Sequence, residues 1–433
     1  MSSSRRVFIK NGLTFVSMGM AAPAIIARAA ADAASVGASS DKKGNILVVL
    51  QLFGGNDGLN TLIPYTDPLY YKNRPTIGVN RSEVVQLGPT VGLNPQMASL
   101  KALFDKGVLG VVQGVGYPQP NLSHFRSAEI WETADPSSTV AAEGWLGRYF
   151  DDDGHLRDNP LAGINFGAEL PKTLYSDFGS VVSMQSPQTY GMATLAPVDA
   201  RPEVEAFTKL YSTGTLATNY DDLVKKIGAD AYSTSEQIKK ALKLDARNIQ
   251  EQPLGSPTGR TLDAPAYPNS LRGGLSPLAQ NLKMVAQLMA ADLGTRVFYV
   301  SQGGFDTHAN QVPTQSALLK DMADSLTAFY ADLEQRGLAD RVTLVTFSEF
   351  GRRVQENASR GTDHGTASCQ FIIGGKVKGG LYGTYPALDD LDMGNLKFST
   401  DFRQVYSTLL DNWLGVSSQK VLNGTFQPLQ FLS

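Results

Sequence analysis

The chain has 433 residues, a formal net charge of −3 and a single cysteine, Cys369. That length buries a core with ease and suits one large domain or two smaller ones. A near-neutral charge without a basic block argues against nucleic-acid binding. One cysteine excludes an intramolecular disulfide, and past the N-terminal region no stretch is long and apolar enough to span a bilayer.

The N-terminal residues carry a targeting pattern. Ser4-Arg5-Arg6-Val7-Phe8-Ile9-Lys10 pairs two arginines with bulky apolar residues and a lysine. A moderately apolar run follows from Leu13 to Ile26, and Ala27-Arg28-Ala29 offers a small-x-small cleavage site. Charged start, short apolar centre and small-residue end are the parts of an export signal, and the arginine pair points to the twin-arginine route. Residues 1–29 therefore read as the signal and 30–44 as a flexible leader, with the twin-arginine translocase as a partner and the periplasm or the exterior as the place of action.

The remainder, 45–433, reads as one α/β domain. Ile46–Phe53 is a nearly continuous apolar run that predicts a strand buried on both faces. Pro95–Lys106 has helical spacing, Val108–Val112 predicts a second strand, and a helix is expected from near Ser123 through Trp131. Residues 195–274 are rich in proline, glycine and polar helical stretches and read as an inserted cap. Regular alternation then returns. Pro277–Leu293 predicts a helix capped by Ser276, Arg296–Val300 a strand, Val312–Arg336 a long amphipathic helix and Val342–Phe347 a strand. Phe371–Ile373 predicts a further strand, and Phe402–Leu414 a last helix ended by Gly415. Such alternation implies a mostly parallel, doubly wound sheet with helices on both faces, whose site lies beyond the carboxyl ends of the strands.

The residues following those strands are chemically specific. They include Gly54-Gly55-Asn56-Asp57-Gly58, Gly303-Gly304-Phe305-Asp306-Thr307-His308, Ser348-Glu349-Phe350-Gly351-Arg352 and Gly361-Thr362-Asp363-His364-Gly365. Mixed Asp, Glu and His donors suit Zn²⁺, Mn²⁺, Mg²⁺ or Ca²⁺, so Asp57, Asp306, His308, Glu349 and His364 are candidate ligands for one or two divalent ions. Asp363 reads equally as a ligand or as a partner that orients His364. The chain holds only four histidines, and two of them follow an acidic residue in these turns. His155, in Asp151-Asp152-Asp153-Gly154-His155, reads as part of a solvated loop. Cys369, in an apolar run, reads as a small buried hydrophobe.

Ser123 opens a helix. It is either a cap or a nucleophile whose developing alkoxide the helix N-terminus would favour. Arg126 and Arg352 are suited to hold an oxyanion bidentately or to serve as salt-bridge partners.

Taken together, Leu52–Thr61, Ser123-His124-Phe125, Gly303–His308, Ser348–Arg352 and Thr362–Gly365 resemble a large family of exported, uncharacterised bacterial proteins. That family is grouped with the alkaline phosphatase-like superfamily of phosphatases, sulfatases and phosphomutases, and the resemblance runs from about Ile46 to Leu414. It implies an acidic metal ligand after the first strand (Asp57), a nucleophile at a helix start (Ser123) and an Asp–His ligand pair (Asp306 and His308). It also implies a final ligand histidine (His364). Where an Asp–His pair normally ends the next strand, this chain has Glu349-Phe350; alternatively Asp363-His364 is that pair, displaced. Either way one ligand is missing. The implied activity is metal-dependent hydrolysis or transfer of phosphate or sulfate esters from a small-molecule or polymeric substrate. The alternative is a non-catalytic envelope or secreted protein that keeps the fold and binds a polymer or a protein partner.

Overall fold

The computed structural model describes residues 44–137, 143–177, 179, 181–186, 190, 230–243, 266–270 and 273–432. The export signal, all but the last residue of the leader and most of the 195–274 insertion lie outside these residues. The described chain forms an α/β fold in two compact units, one built from 45–145, 261–286 and 299–433, the other from within 146–260 and 287–298. Among the described residues, no helix is long and apolar enough to cross a membrane.

The central sheet has strands β1 (Ile46–Leu52), β2 (Leu109–Gly116), β3 (Val297–Gln302), β4 (Val342–Phe347), β5 (Ser368–Gly374), β6 (Gly380–Tyr382) and β7 (Thr400–Asp401). Their order is β6-β2-β5-β4-β1-β3, with β7 also beside β2. Every residue of β1 and β4 is buried, as expected for apolar runs covered on both faces. The strand over Val342–Phe347 matches expectation to the residue. Elsewhere the ends shift: β1 stops one residue short, at Leu52, β2 runs on to Gly116, β3 to Gln302, and β5 starts at Ser368.

Sheet direction decides what meets what. β1 and β4 are parallel, in a register that sets Gln51 beside Phe347, so the segments after Leu52 and after Phe347 leave together. Phe53 N–H donates to Gln302 C=O at 2.9 Å, which brings the segment after β3 to the same edge. β5 is antiparallel to both β4 and β2. Two reversals restore the original sense, so β2 also ends at that edge, while β5 begins there and is preceded by the 361–367 loop. Five loops therefore converge at one edge, where ligand sites of such sheets lie.

The helices follow their expected positions. α1 (His124–Thr133) has Ser123 as N-cap residue, and α2 (Pro277–Ala290) begins with Ser276 Oγ accepting from Ala279 N–H at 3.1 Å. The 25-residue α3 (Gln311–Gln335) follows the third strand. The last helix departs from expectation. α4 (Phe402–Leu409) passes into a π-helical turn over Leu410–Leu414 before Gly415, at φ 73°, ends it.

In the smaller unit, strands Gly163–Phe166 and Val182–Met184 pair in parallel. The 151–155 stretch is not a solvated loop. Asp153 caps a one-turn helix, Gly154–Arg157, and the Asp151 carboxylate accepts from Ser176 Oγ at 2.5 Å and Asp177 N–H at 2.7 Å. Only His155 of that stretch keeps the exposure expected of it, along with Gly154.

Candidate metal centre

Three imidazoles meet one carboxylate at the convergent edge. Asp306 Oδ1 lies 3.1 Å from His308 Nε2 and 3.3 Å from His364 Nε2, and Asp306 Oδ2 lies 3.5 Å from His124 Nε2. His308 and His364 approach each other through their Nε2 atoms at 3.0 Å. The loops can come this close because glycines leave room. A Cβ on Gly54, which sits at φ 121°, would lie 2.4 Å from Asp306 N, and one on Gly361 would lie 2.3 Å from the His308 carbonyl carbon.

The far nitrogen of each ring is also held. His364 Nδ1 is 2.8 Å from the Leu122 carbonyl. That oxygen can only accept, so Nδ1 carries the proton. His124 Nδ1 is 2.7 Å from Glu349 Oε1, and His308 Nδ1 is 3.3 Å from Asp363 Oδ1. The same logic puts the proton on Nδ1 of His124, so the Nε2 lone pairs of His124 and His364 turn towards Asp306, while His308 stands between the carboxylates of Asp306 and Asp363. A histidine whose outer nitrogen donates to a carboxylate or carbonyl is the usual arrangement of a metal ligand. His124 Nε2 supports the fit independently: it is buried and has no hydrogen-bond partner. Donor atoms of His124, Asp306 and His364 all lie within 4.8 Å of one another. These three would hold a divalent ion, with His308 at the exposed side.

Electrostatics suits the same role. Burial tends to raise the Asp306 carboxyl, but the Arg352 guanidinium that donates to it at 2.7 Å, aided by His364 and His308, holds it below the usual carboxylate range. Burial pushes the His364 imidazole below its ordinary value despite the Leu122 carbonyl and the Asp306 carboxylate beside it, which favours the neutral, metal-binding ring. The Asp363 carboxyl is held low, first by the Asn357 amide and then by His308, against a smaller opposing effect of burial.

The other expected site residues stand as follows. Glu349 is wholly buried and reaches the centre through His124, while its Oε1 also accepts from Gly54 N–H at 2.8 Å. Asp57, 1% exposed, is turned inward, with its carboxylate engaged by Arg74 and Gln311. Arg352 is buried and committed to the scaffold rather than open to an oxyanion. Nε donates to Gly55 C=O at 2.7 Å, Nη1 to Thr362 C=O at 2.8 Å, and Nη2 to Asp306, Phe305 C=O and Gly54 C=O. Arg126 pairs with Glu129 at 2.8 Å and donates to Pro136 C=O at 3.1 Å, fastening α1 to the chain that follows it. Ser123 is exposed, and its hydroxyl makes no capping bond. Cys369 is buried as expected, and burial together with the nearby Asp57 charge pushes its thiol up to about 12.

His124 is the functional candidate that the sequence reading passes over. Ser123-His124-Phe125 draws attention for its serine, yet a histidine in a chain with only four is itself a signal. Arg74 and Gln311 carried no signal, because each acts through a partner far away in sequence.

Among curated proteins none matches the sequence. Among solved structures the chain is similar to PsFucS1 sulfatase from Pseudoalteromonas sp., at 13% identity over 94% of this chain and 73% of that one, with a TM-score of 0.36. It is also similar to a protein of the alkaline phosphatase superfamily from Vibrio parahaemolyticus (10% identity, 88% and 69% covered, TM-score 0.36). A third likeness is to the lipoteichoic acid synthase LtaP from Listeria monocytogenes (10% identity, 92% and 80% covered, TM-score 0.35). Scores of this size describe a coarse likeness of architecture and transfer no residue's role. The sequence itself is more specific: a family model described as "Protein of unknown function (DUF1501)" matches residues 111–427, and the chain belongs to that family.

Proposed function

We propose that this protein is a metal-dependent hydrolase or transferase of phosphate or sulfate esters, exported by the twin-arginine route to act in the periplasm or beyond. The observation that carries the reading is the orphaned, buried Nε2 of His124 facing Asp306 beside His364 and His308. Two imidazoles and one carboxylate, with a third imidazole beside them, favour a borderline ion such as Zn²⁺ or Mn²⁺ over Ca²⁺ or Mg²⁺. When bound, the ion supplies positive charge that polarises an ester oxygen and offsets charge developing in the transition state.

The chain's own residues do the rest. Ser123 presents a hydroxyl free of capping duty at the N-terminus of the ten-residue α1, next in sequence to His124. Its Oγ attacks phosphorus or sulfur and the bond to the alcohol oxygen breaks. Water then cleaves the seryl ester, returning Ser123 and releasing phosphate or sulfate. The first-turn amide groups of α1 face the anion, as at other helix N-termini. Asp306 and the Nε2 atoms of His124 and His364 would hold the ion, while Glu349, Asp363 and the Leu122 carbonyl fix the rings.

One observation favours the second reading, a non-catalytic envelope or secreted protein that keeps the fold and binds a polymer or a protein partner. Both arginines suited to an oxyanion, Arg126 and Arg352, donate to groups of the protein itself. The experiment that separates the readings is metal analysis of the purified protein, followed by a panel of phosphate and sulfate esters. Retained metal with turnover of an ester supports the enzyme. Retained metal with no turnover across the panel supports the binding protein, and a folded protein inert to added ions overturns the enzyme and leaves the binding protein standing.

A further inference from the structure

Asp57 occupies a strand-end position where a carboxylate can meet a cation, yet its acceptor capacity is filled from within. A carboxylate has about four lone-pair directions. Oδ1 accepts from the N–H groups of Leu59 and Asn60 at 3.2 and 3.4 Å. Oδ2 accepts from Arg74 Nη1 and Gln311 Nε2, both at 2.5 Å.

The Arg74 guanidinium is fixed as firmly. Its side chain is wholly buried. Nε donates to Val354 C=O and Nη2 to Arg353 C=O, each at 3.0 Å, and Nη1 also reaches Asn60 Oδ1 at 2.8 Å. Gln311 then links this pair to the metal centre. Its Oε1 accepts from Thr307 Oγ1 at 3.2 Å and Thr362 Oγ1 at 2.6 Å. Thr307 stands between Asp306 and His308, and Thr362 precedes Asp363 and His364.

We infer that the centre takes one divalent ion, and that the Arg74 guanidinium, locked on Asp57, permanently supplies the positive charge that a second ion would bring beside β1. This inference rests on the metal-centre reading above. Two further facts support it. Among the described residues His124, Asp306 and His364 form the one group of three donors that could hold an ion. Arg74 and Asp57 are both sealed from solvent, so exchange of the guanidinium for a hydrated ion would require local unfolding.

The test is Zn²⁺ stoichiometry by elemental analysis after equilibration with excess Zn²⁺ and removal of the unbound ion, together with the shift in melting temperature that Zn²⁺ produces. Wild type should hold one ion per chain. Asp57→Asn alone strands Arg74 in the interior, so the variant of choice is Asp57→Asn with Arg74→Gln, which removes both charges. It should still hold one ion and keep its Zn²⁺-induced melting shift, whereas His124→Ala should lose both. Two ions in wild type would overturn the inference and leave the metal-centre reading standing, as would a folded double variant that loses its ion. No ion in wild type would overturn the reading itself. Where the double variant does not fold, the wild-type stoichiometry decides.

Discussion

Glu349 and His124 are joined by a 2.7 Å hydrogen bond that fixes both the tautomer and the aim of the ring. Glu349 Oε1 accepts the Gly54 N–H as well, so one carboxylate orients the ring proposed as a metal ligand and satisfies a buried backbone donor. Glu349→Gln keeps an acceptor but loses the charge, and Zn²⁺ affinity should fall about 10-fold or more with the fold intact. Glu349→Ala also leaves the Gly54 N–H unpaired and should cost about 1–3 kcal/mol of stability besides. Calorimetric Zn²⁺ titration and thermal melts of both variants measure this, and unchanged affinity in Glu349→Ala would remove Glu349 from the centre.

Ser123 offers a cleaner separation of roles than most helix-start serines. A capping side chain is worth roughly 1 kcal/mol, but this hydroxyl caps nothing. Ser123→Ala should therefore change stability by less than about 0.5 kcal/mol, leave metal content unchanged and abolish ester turnover. Preserved turnover would point instead to direct attack by water.

Arg352→Ala should act on the scaffold before it acts on chemistry. Four backbone carbonyls, of Gly54, Gly55, Phe305 and Thr362, lose their shared donor, at about 1 kcal/mol each. The expected loss is on the order of 3 kcal/mol or more, with weaker metal binding because Asp306 loses its anchor. Arg352→Lys should recover little, since an ammonium cannot span that fork of acceptors. Urea melts give the stability, and wild-type stability in Arg352→Ala would contradict the scaffold role.

Export has its own test. Replacing Arg5 and Arg6 with Lys should leave full-length precursor in the cytoplasm, since the arginine pair marks the route. Cell fractionation with immunoblotting reads the outcome, and normal export of the double variant would rule the route out.

How far the sequence reaches depends on whether a residue's role is local. Val342–Phe347 is legible because an apolar run is bounded by Arg341 and Ser348, and α3 is found within a residue of its ends because its apolar spacing persists for seven turns. Strand direction is not local: nothing in Ser368–Gly374 says that it runs against both neighbours. Asp306, His308, Asp363 and His364 are legible as a group because turns framed by glycine expose donors. Asp57 looks the same in sequence whether its cation is an ion or Arg74, seventeen residues on. Arg352, likewise, shows its commitment only once three separate loops are folded around it.

The burial of Cys369 has a practical consequence. It lies in β5, between β2 and β4, with its thiol raised to about 12, so in the native state it should be closed to thiol-reactive probes. Reaction requires the centre of the sheet to open. Because the chain has no other cysteine, the rate of labelling by such a probe is a direct clock of that opening, with a background of zero and no engineered tag. Run with and without Zn²⁺, the clock would show whether an ion held at the loop edge slows the separation of strands in the middle of the protein.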